Sequence, residues 1–223
     1  MNRSILAITA GISMAGALLL SSISAKADLI SIGLQESGTN GGVITTEGTG
    51  SGTASITGVS YGTFTVNSVT AEDNVALGGK DLLFSNALNT SSSTTGTLNV
   101  FVTAQGLTGL SGLTNFLSSF TANKVPTGWT VTEETFLSTA NGLYTGTLLN
   151  SKSFTAIGTD VESALQSVSG TFSVTEEFIL TATGSGSAND TIDLSVPEPG
   201  SLALLGVALL GFGVIRRRNY HSA

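Results

Sequence analysis

Cysteine is absent from this chain, and its one histidine, His221, lies close to the C-terminus. The absence of cysteine excludes disulfides, thiolate zinc sites, iron–sulfur clusters and cysteine nucleophiles. The lack of histidine before residue 221 excludes a Ser-His-Asp triad and histidine-ligated metals from the body of the chain. We therefore expect a protein that is not an enzyme and that carries no cofactor.

Basic residues are also scarce, with 8 Lys and Arg against 15 Asp and Glu among 223 residues, a net charge of −7. Residues 28–196 hold three lysines and 14 acidic residues, a formal charge of −11. No basic face remains to neutralise phosphates, so nucleic acid is not expected as a partner. The mean hydropathy of +0.34 at 10% charged residues indicates that apolar segments raise the average.

The first apolar segment lies in residues 1–27, which begin with the basic Arg3 and continue as an apolar run. Ala25 and Ala27 put small residues at the two positions that a signal peptidase must admit. This order predicts a secretory signal helix, with cleavage leaving Asp28 as the new N-terminus.

The second apolar segment, residues 202–215, lies between a proline-rich step and a basic cluster. As a helix its 14 residues would span about 21 Å, short of the roughly 30 Å of a hydrocarbon core. We expect a transient membrane anchor that a processing enzyme removes. The flanking residues are Pro197, Glu198 and Pro199 before the run, and Arg216, Arg217 and Arg218 after it.

Residues 197–218 resemble a PEP-CTERM sorting signal, because the Pro-Glu-Pro step, apolar helix and arginine cluster occur in that order, followed by a short tail, 219–223. The resemblance implies the secretion machinery and a membrane exosortase as partners. It also implies export across the inner membrane of a Gram-negative bacterium, transient membrane insertion, and delivery to the cell surface or extracellular matrix, often beside exopolysaccharide.

Residues 28–196 read mainly as strands. Apolar and polar residues alternate at 97–104 and 191–196, which is typical of strands with one face on a core. The pattern predicts an all-β body, a β-sandwich or jelly-roll of short antiparallel strands between the signal helix and the C-terminal apolar helix. Shorter strand-like runs lie at 29–34, 54–58, 61–69, 129–137, 143–149 and 170–183.

Three local expectations accompany this fold. Asn141-Gly142 predicts a two-residue type I′ hairpin, because both residues tolerate positive φ. Two segments, 113–122 and 161–168, read as short helices of two turns each. The glycine-rich stretch 48–52 reads as a flexible turn rather than a phosphate-binding loop, since the P-loop lysine is missing.

Val-Thr-Glu-Glu occurs twice, at 131–134 and 174–177, and alternation puts Glu133 and Glu176 on apolar faces. A carboxylate on such a face is costly unless it is paired or marginal. We interpret both glutamates as edge or β-bulge positions. The alternative is a carboxylate pair for glycoside hydrolysis.

The remaining motifs are weaker evidence of function. Gly58-Val-Ser-Tyr-Gly62 matches G-x-S-x-G but lacks a histidine base and a following helix. Calcium needs only carboxylates and carbonyls, but the spacing of the acidic candidates fits no calcium loop and favours solvated charge. Those candidates are Glu72-Asp73-Asn74, Asp160 with Glu162, and Asp190 with Asp193.

These observations favour an exported, non-enzymatic surface or matrix protein with a structural or interaction role. One alternative is a module that binds carbohydrate, an exopolysaccharide, by stacking sugars on Trp129, Tyr61 and Tyr144, although Trp129 also reads as a core anchor. The other alternative is a carboxylate-based glycosidase.

Overall fold

The computed structural model describes residues 29–73 and 80–197, with backbone alone at residues 80, 86 and 87. Twelve strands and one 3₁₀ turn, Asn40–Gly42, make up this part of the chain, which confirms the all-β prediction. The strands are β1 Leu29–Glu36, β2 Thr45–Gly50, β3 Thr53–Tyr61, β4 Phe64–Glu72, β5 Lys80–Ser92, β6 Thr95–Leu107, β7 Gly112–Lys124, β8 Thr130–Ser138, β9 Thr147–Phe154, β10 Gly158–Val168, β11 Phe172–Thr183 and β12 Gly186–Val196.

The strands form two antiparallel sheets of six. Sheet 1 has the order β2-β1-β6-β11-β8-β9, and sheet 2 has the order β10-β7-β12-β5-β4-β3. The last eight strands give two four-stranded layers, β5-β12-β7-β10 and β6-β11-β8-β9, which is the strand order of a jelly-roll. The hairpins β1-β2 and β3-β4 widen the two layers along the same side.

A hydrophobic core joins the two sheets. Ile30, Ile32 and Leu34 of β1 are fully buried, whereas the intervening positions face the other side of sheet 1. The same alternation on the remaining strands supplies the opposing inner faces, so each sheet keeps one outer face.

The two predicted helices are wrong, because residues 113–122 lie in β7 and residues 161–168 lie in β10. Ser118 faces inward on β7, where it is hydrogen-bonded to Thr135 at 2.7 Å and accepts from Asn150 at 2.8 Å. Since Ser118 puts a hydroxyl group at an inward position of β7, the alternation of apolar and polar residues along this strand cannot be recognised in the sequence.

The two-residue hairpin at Asn141-Gly142 is also wrong, since the loop between β8 and β9 runs over residues 139–146. Asn141 does adopt a positive φ of 56°. Its side chain accepts a hydrogen bond from the Gly106 N–H at 2.8 Å, which ties the loop to β6. The Gly142 carbonyl accepts from Ser173 Oγ at 2.6 Å, so the loop folds back over sheet 1.

The glycine-rich stretch contains ordered strand. Residues 48–50 end β2, and only Ser51 and Gly52 make the turn into β3. The predicted run 61–69 is likewise divided by a turn at Gly62, whose φ of 57° favours glycine.

The edge or bulge interpretation of the two inward glutamates is wrong. β11 lies in the middle of sheet 1, and Glu176 pairs in register with Val102 on one side and Thr135 on the other. β8 is internal as well, and Glu133 lies between Phe178 and Lys152. Both glutamates therefore lie in the interior of the sandwich, where their side chains are fully buried.

Candidate functional site

The outer face of sheet 1 carries a series of hollows along β6. Phe101 lines the first hollow and Asn99 with Thr97 lines the second, while a third follows at the end of the sandwich, where Thr97 lies near Thr63 of the β3–β4 turn. Because alternate residues of a strand share one face at about 3.3 Å per residue, these positions succeed one another every ~7 Å. The outer face is thus a track with repeated polar and apolar contacts.

The first hollow lies beneath the 139–146 loop. Its aromatic wall is formed by Phe101, Phe136 and Tyr144, and Glu177 and Thr175 supply polar groups. The Phe101 and Tyr144 ring centroids are 5.8 Å apart at an interplanar angle of 48°. A concave surface with aromatic walls and a few polar groups is the usual chemistry of a small-molecule site.

Tyr144 is held in place from three sides. Its Oη is hydrogen-bonded to Thr46 Oγ1 at 3.0 Å, and its backbone N–H donates to Thr103 Oγ1 at 3.2 Å. A Cβ added to Gly33 would lie 2.7 Å from the Tyr144 Cζ, so the ring lies directly against the backbone of β1. Glycine at position 33 is therefore required for this ring position.

The backbone of Tyr144 has a φ of 52°, a left-handed conformation that is uncommon for a bulky residue. Residues kept in such conformations cost about 1–3 kcal/mol and cluster at functional sites. The loop maintains this conformation while leaving the ring half-buried at the border of the hollow.

Two glutamates lie directly opposite each other on the same outer face, Glu177 of β11 and Glu134 of β8. Asn99 donates to Glu177 Oε1 at 2.8 Å, and Ser151 donates to Glu134 Oε1 at 2.9 Å. Burial, followed by the neighbouring charge of Glu134, raises the pKa of Glu177 to about 7. The carboxyl group of Glu177 therefore lines the first hollow, and that of Glu134 lies beside it.

The second and third hollows are lined mainly by residues with polar side chains. Gln35 borders the second and donates to the Gly42 carbonyl at 2.7 Å. Thr97 separates the two hollows and is hydrogen-bonded to Thr181 at 3.3 Å. Amides and hydroxyls arranged in this way match the hydrogen-bonding groups of a polyol.

Of the three aromatic residues expected to stack on sugars, two are buried. Trp129 is 1% exposed, packs edge-on against Phe64 and donates from Nε1 to the Gly184 carbonyl at 3.1 Å. Tyr61 is 4% exposed, and its hydroxyl is hydrogen-bonded to Thr45 at 3.0 Å. Tyr144 is the one of the three whose ring borders a surface hollow.

The inward glutamates form part of an acidic cluster between the sheets. Glu133 and Glu176 of sheet 1 face Asp190 of β12 and Ser85 of β5, and all four residues are fully buried. Ser85 Oγ donates to Glu176 Oε2. Burial raises the pKa of Glu133 to about 9 and that of Asp190 to about 8, and it raises the pKa of Glu176 well above its usual value. A polysaccharide cannot reach this cluster.

The calcium candidates are dispersed. Asp160 forms an ion pair with Lys152 at 2.8 Å, and Asp190 belongs to the interior. Glu72 ends β4, while Asn74 lies outside the described residues. Within residues 29–73 and 80–197, no group of three or more acidic, histidine or cysteine side chains is arranged to hold a metal.

The sequence analysis does not single out Phe101, Phe136 and Glu177 as candidate site residues. Alternation along β6, β8 and β11 puts them on the faces opposite Val100, Leu137 and Phe178, which face inward. It could not show that the 139–146 loop folds over them and turns a flat sheet face into a hollow.

The predicted export and sorting residues lie largely outside the described part of the chain. This applies to Ala25, Ala27 and Asp28, and to Glu198, Pro199, Arg216, Arg217 and Arg218. Pro197 is described and is exposed directly after β12. No helix among the described residues is long and apolar enough to cross a membrane.

Similarity to solved structures is remote. The enzymatically active domain of tailspike protein 4 from bacteriophage CBA120 aligns at 16% identity and a TM-score of 0.33, covering 57% of this chain and 17% of the tailspike chain. The C-terminal CBM6 of LamC from Zobellia galactanivorans aligns at 14% identity and a TM-score of 0.29, covering 64% of this chain and 98% of that module. No curated protein matches the chain.

The C-terminal segment gives a clear assignment. Residues 195–218 match the family profile described as the PEP-CTERM protein-sorting motif. Such a motif implies processing by an exosortase, export, and sorting to the cell surface of a Gram-negative bacterium. The chain therefore carries a PEP-CTERM sorting signal behind its jelly-roll body and is an exported, surface-sorted protein.

Proposed function

We propose that the body is a non-enzymatic carbohydrate-binding module that holds exopolysaccharide at the cell surface through the outer face of sheet 1. The main support for this proposal is the position of Tyr144, whose ring packs against the backbone at Gly33 beside a hollow with aromatic walls. The ring offers an apolar face to a sugar, and Glu177, Asn99 and Gln35 offer hydrogen-bonding groups along the track. Delivery to the surface by the sorting signal brings this face to extracellular polymer.

Tyr144→Ala is expected to weaken binding of the exopolysaccharide isolated from the same bacterium by at least about tenfold, because loss of a central aromatic contact costs ~1.4 kcal/mol or more. Asn99→Ala is expected to weaken binding less, since it removes a hydrogen-bonding group from the track. Affinity electrophoresis in gels containing the polymer measures both effects.

Asn123→Ala is the matched control, because Asn123 is an exposed amide on β7 of sheet 2 that bonds Thr191. Its retention in the gel should equal that of the wild type. Circular dichroism checks that each variant is folded. Unchanged retention of a folded Tyr144→Ala protein would contradict the proposal.

A second candidate function, glycoside hydrolysis, is favoured by the Glu177–Glu134 pair. Directly opposite side chains have Cβ atoms about 4.5–5.5 Å apart, so rotation of the two side chains away from Asn99 and Ser151 would bring the carboxyl groups to the separation of about 5–5.5 Å that retaining glycosidases need. In such a mechanism Glu177, with its pKa raised to about 7, would donate a proton to the leaving oxygen while Glu134 attacks the sugar, and a water molecule deprotonated by Glu177 would then release the sugar from Glu134.

If this second function holds, Glu177→Gln and Glu134→Gln should each reduce sugar release from the exopolysaccharide at least about a hundredfold. The activity of the wild type should fall as the pH rises above about 7, because Glu177 then loses its proton. Glu47→Gln is the control, since Glu47 is exposed on β2. Absence of any turnover by the wild type would eliminate this candidate and leave the binding function standing.

A further inference from the structure

The outermost strand of sheet 2, β10, leaves one side of its backbone free of a strand partner among the described residues. It pairs with β7 over eleven consecutive positions, from Gly158↔Ala122 to Val168↔Gly112, with no shift of register. An unbroken edge of this length is a template for another strand, and proteins usually protect such edges.

The other three edge strands are protected. β2 has six residues and a register shift against β1, between Ile32 and Gly33. β9 is shifted against β8 between Thr135 and Phe136. β3 keeps its register with β4, but Gly58 has a φ of 67° and is not paired with β4. Among the four edge strands of the described residues, β10 is therefore the one that is both long and paired without a shift of register.

The outer side of β10 is apolar as well as exposed. Val161 is 58% exposed and Leu165 is 62% exposed, and the neighbouring Leu113 of β7 is 73% exposed. The other outward residues of β10 are Thr159, Ser163 and Ser167, so this side carries no charge. Large exposed apolar side chains beside an open backbone edge mark a protein-interaction surface.

The sequence of β10 is self-complementary about its central residue. Antiparallel pairing of two copies with Ser163 opposite Ser163 places Val161 of each copy opposite Leu165 of the other, and Thr159 opposite Ser167. On the other side, Asp160 faces Gln166 and Glu162 faces Ala164, so no acidic residue directly opposes another. Directly opposite apolar pairs stabilise a sheet by about 0.2–1 kcal/mol each, whereas like charges destabilise it.

We propose that two copies of this protein associate through β10, antiparallel and centred on Ser163, to form a continuous twelve-stranded sheet. The contact is isologous, so it closes as a two-fold dimer and does not propagate. If the glycan face on sheet 1 acts as proposed, the dimer would present two such faces and bind polymer with higher avidity. The dimer itself does not depend on that function.

The absence of cysteine from the chain makes a direct test available. In full-length protein produced and exported by the host bacterium, Ser163→Cys should form a disulfide with its own counterpart, because directly opposite Cβ atoms lie within reach of a disulfide. On a non-reducing gel, most of the exported protein is expected at twice the monomer mass, returning to the monomer mass on reduction.

Two further cysteine variants test the register. Thr159→Cys and Ser167→Cys, produced separately, should each stay monomeric on the gel, since neither residue faces itself. Produced together in one cell, they should give the dimer band. A monomeric Ser163→Cys protein, or Thr159→Cys dimers as abundant as those of Ser163→Cys, would overturn the proposal.

A charge pair tests association without a disulfide. Val161→Lys and Leu165→Glu should each give the monomer mass by light scattering of the purified exported protein. Mixing them should restore a dimer, because the new lysine of one copy faces the new glutamate of the other. Leu148→Lys is the control, since Leu148 is 48% exposed on β9 of the other sheet and should leave the dimer unchanged. A wild type that is monomeric at every concentration would also overturn the proposal.

Discussion

Raising the pH from about 5 to about 8 is expected to destabilise this protein strongly, with a fall of at least about 15 °C in the thermal midpoint. The reason is the acidic cluster between the sheets, in which Glu133, Glu176 and Asp190 are fully buried. Both carboxyl oxygens of Asp190 and one of Glu176 have no hydrogen-bond partner among the described residues. A charged carboxylate in such surroundings is far more costly than a protonated one.

The direction of this change in stability follows from the number of protons that the folded and the unfolded protein bind. Burial, and then the neighbouring Asp190, raises the pKa of Glu133 from 4.5 to about 9, and burial raises that of Asp190 from 3.8 to about 8. At pH values below the ordinary pKa values of 4.5 and 3.8, both carboxyl groups are protonated in the folded and in the unfolded protein, and the full stability is present. Between the pKa values of the unfolded protein and those of the folded protein, unfolding releases the protons of Glu133 and Asp190. The free energy of unfolding therefore falls by about 3 kcal/mol per pH unit in this range.

Glu133→Gln provides the decisive variant, because an amide of similar shape cannot ionise. Its free energy of unfolding should fall less steeply with pH than that of the wild type, by about 1.4 kcal/mol per pH unit, or one proton. Glu47→Gln is the matched control, since this exposed carboxylate should leave the slope unchanged. Urea unfolding at a series of pH values measures the slopes, and a wild-type stability that is flat or rising between pH 5 and 8 would contradict the expectation.

Trp129→Ala is expected to lower the free energy of unfolding by about 3–5 kcal/mol, which is the usual cost of emptying the space of a large core aromatic. The indole packs edge-on against Phe64 with ring centroids 6.0 Å apart, and it donates to the Gly184 carbonyl at 3.1 Å. A Cβ on Gly186 would lie 3.2 Å from the Trp129 ring, so the pocket is closely filled and poorly able to collapse. Chemical denaturation of the variant measures the loss.

Trp129→Phe and Tyr144→Ala are the comparisons for this experiment. The phenylalanine variant keeps most of the apolar bulk but leaves the Gly184 carbonyl unpaired, so it should lose about 1–3 kcal/mol. Tyr144→Ala removes a half-buried ring from the surface and should cost less stability than Trp129→Ala while reducing glycan binding more. Folded Trp129→Ala protein that loses glycan binding completely would contradict the core role assigned to Trp129.

The strand content was predictable because alternation at period two follows directly from strand geometry. It located β1, β6, β8, β11 and β12 and placed Glu133 and Glu176 on inward faces, all of which the structure confirms. It failed for β7, where the inward Ser118 interrupts the apolar face, and for β10, where Val161 and Leu165 lie on the exposed side. A period-two pattern indicates which residues share a face, but the side that faces the core depends on the second sheet.

The same limit applies to the candidate site. Composition indicated aromatic residues as glycan contacts but could not rank Trp129, Tyr61 and Tyr144, because their exposure depends on which loops and sheets cover them. The sequence predicts a two-residue turn where the structure has the 139–146 loop, and it therefore gives no sign of the hollow that this loop makes with Phe101 and Glu177. Hydrogen bonds to residues distant in the sequence, such as Asn141 to Gly106, decide the path of this loop.

Export, sorting and the all-β class of this protein can be predicted from its amino-acid sequence, because a sorting motif and a strand pattern are both local and depend on neighbouring residues. The packing of the two sheets, by contrast, sets which glutamates are buried, which aromatic ring borders the surface, and which strand edge stays open. Those properties depend on contacts between segments far apart in the chain, and burial, pKa and exposure all follow from such contacts.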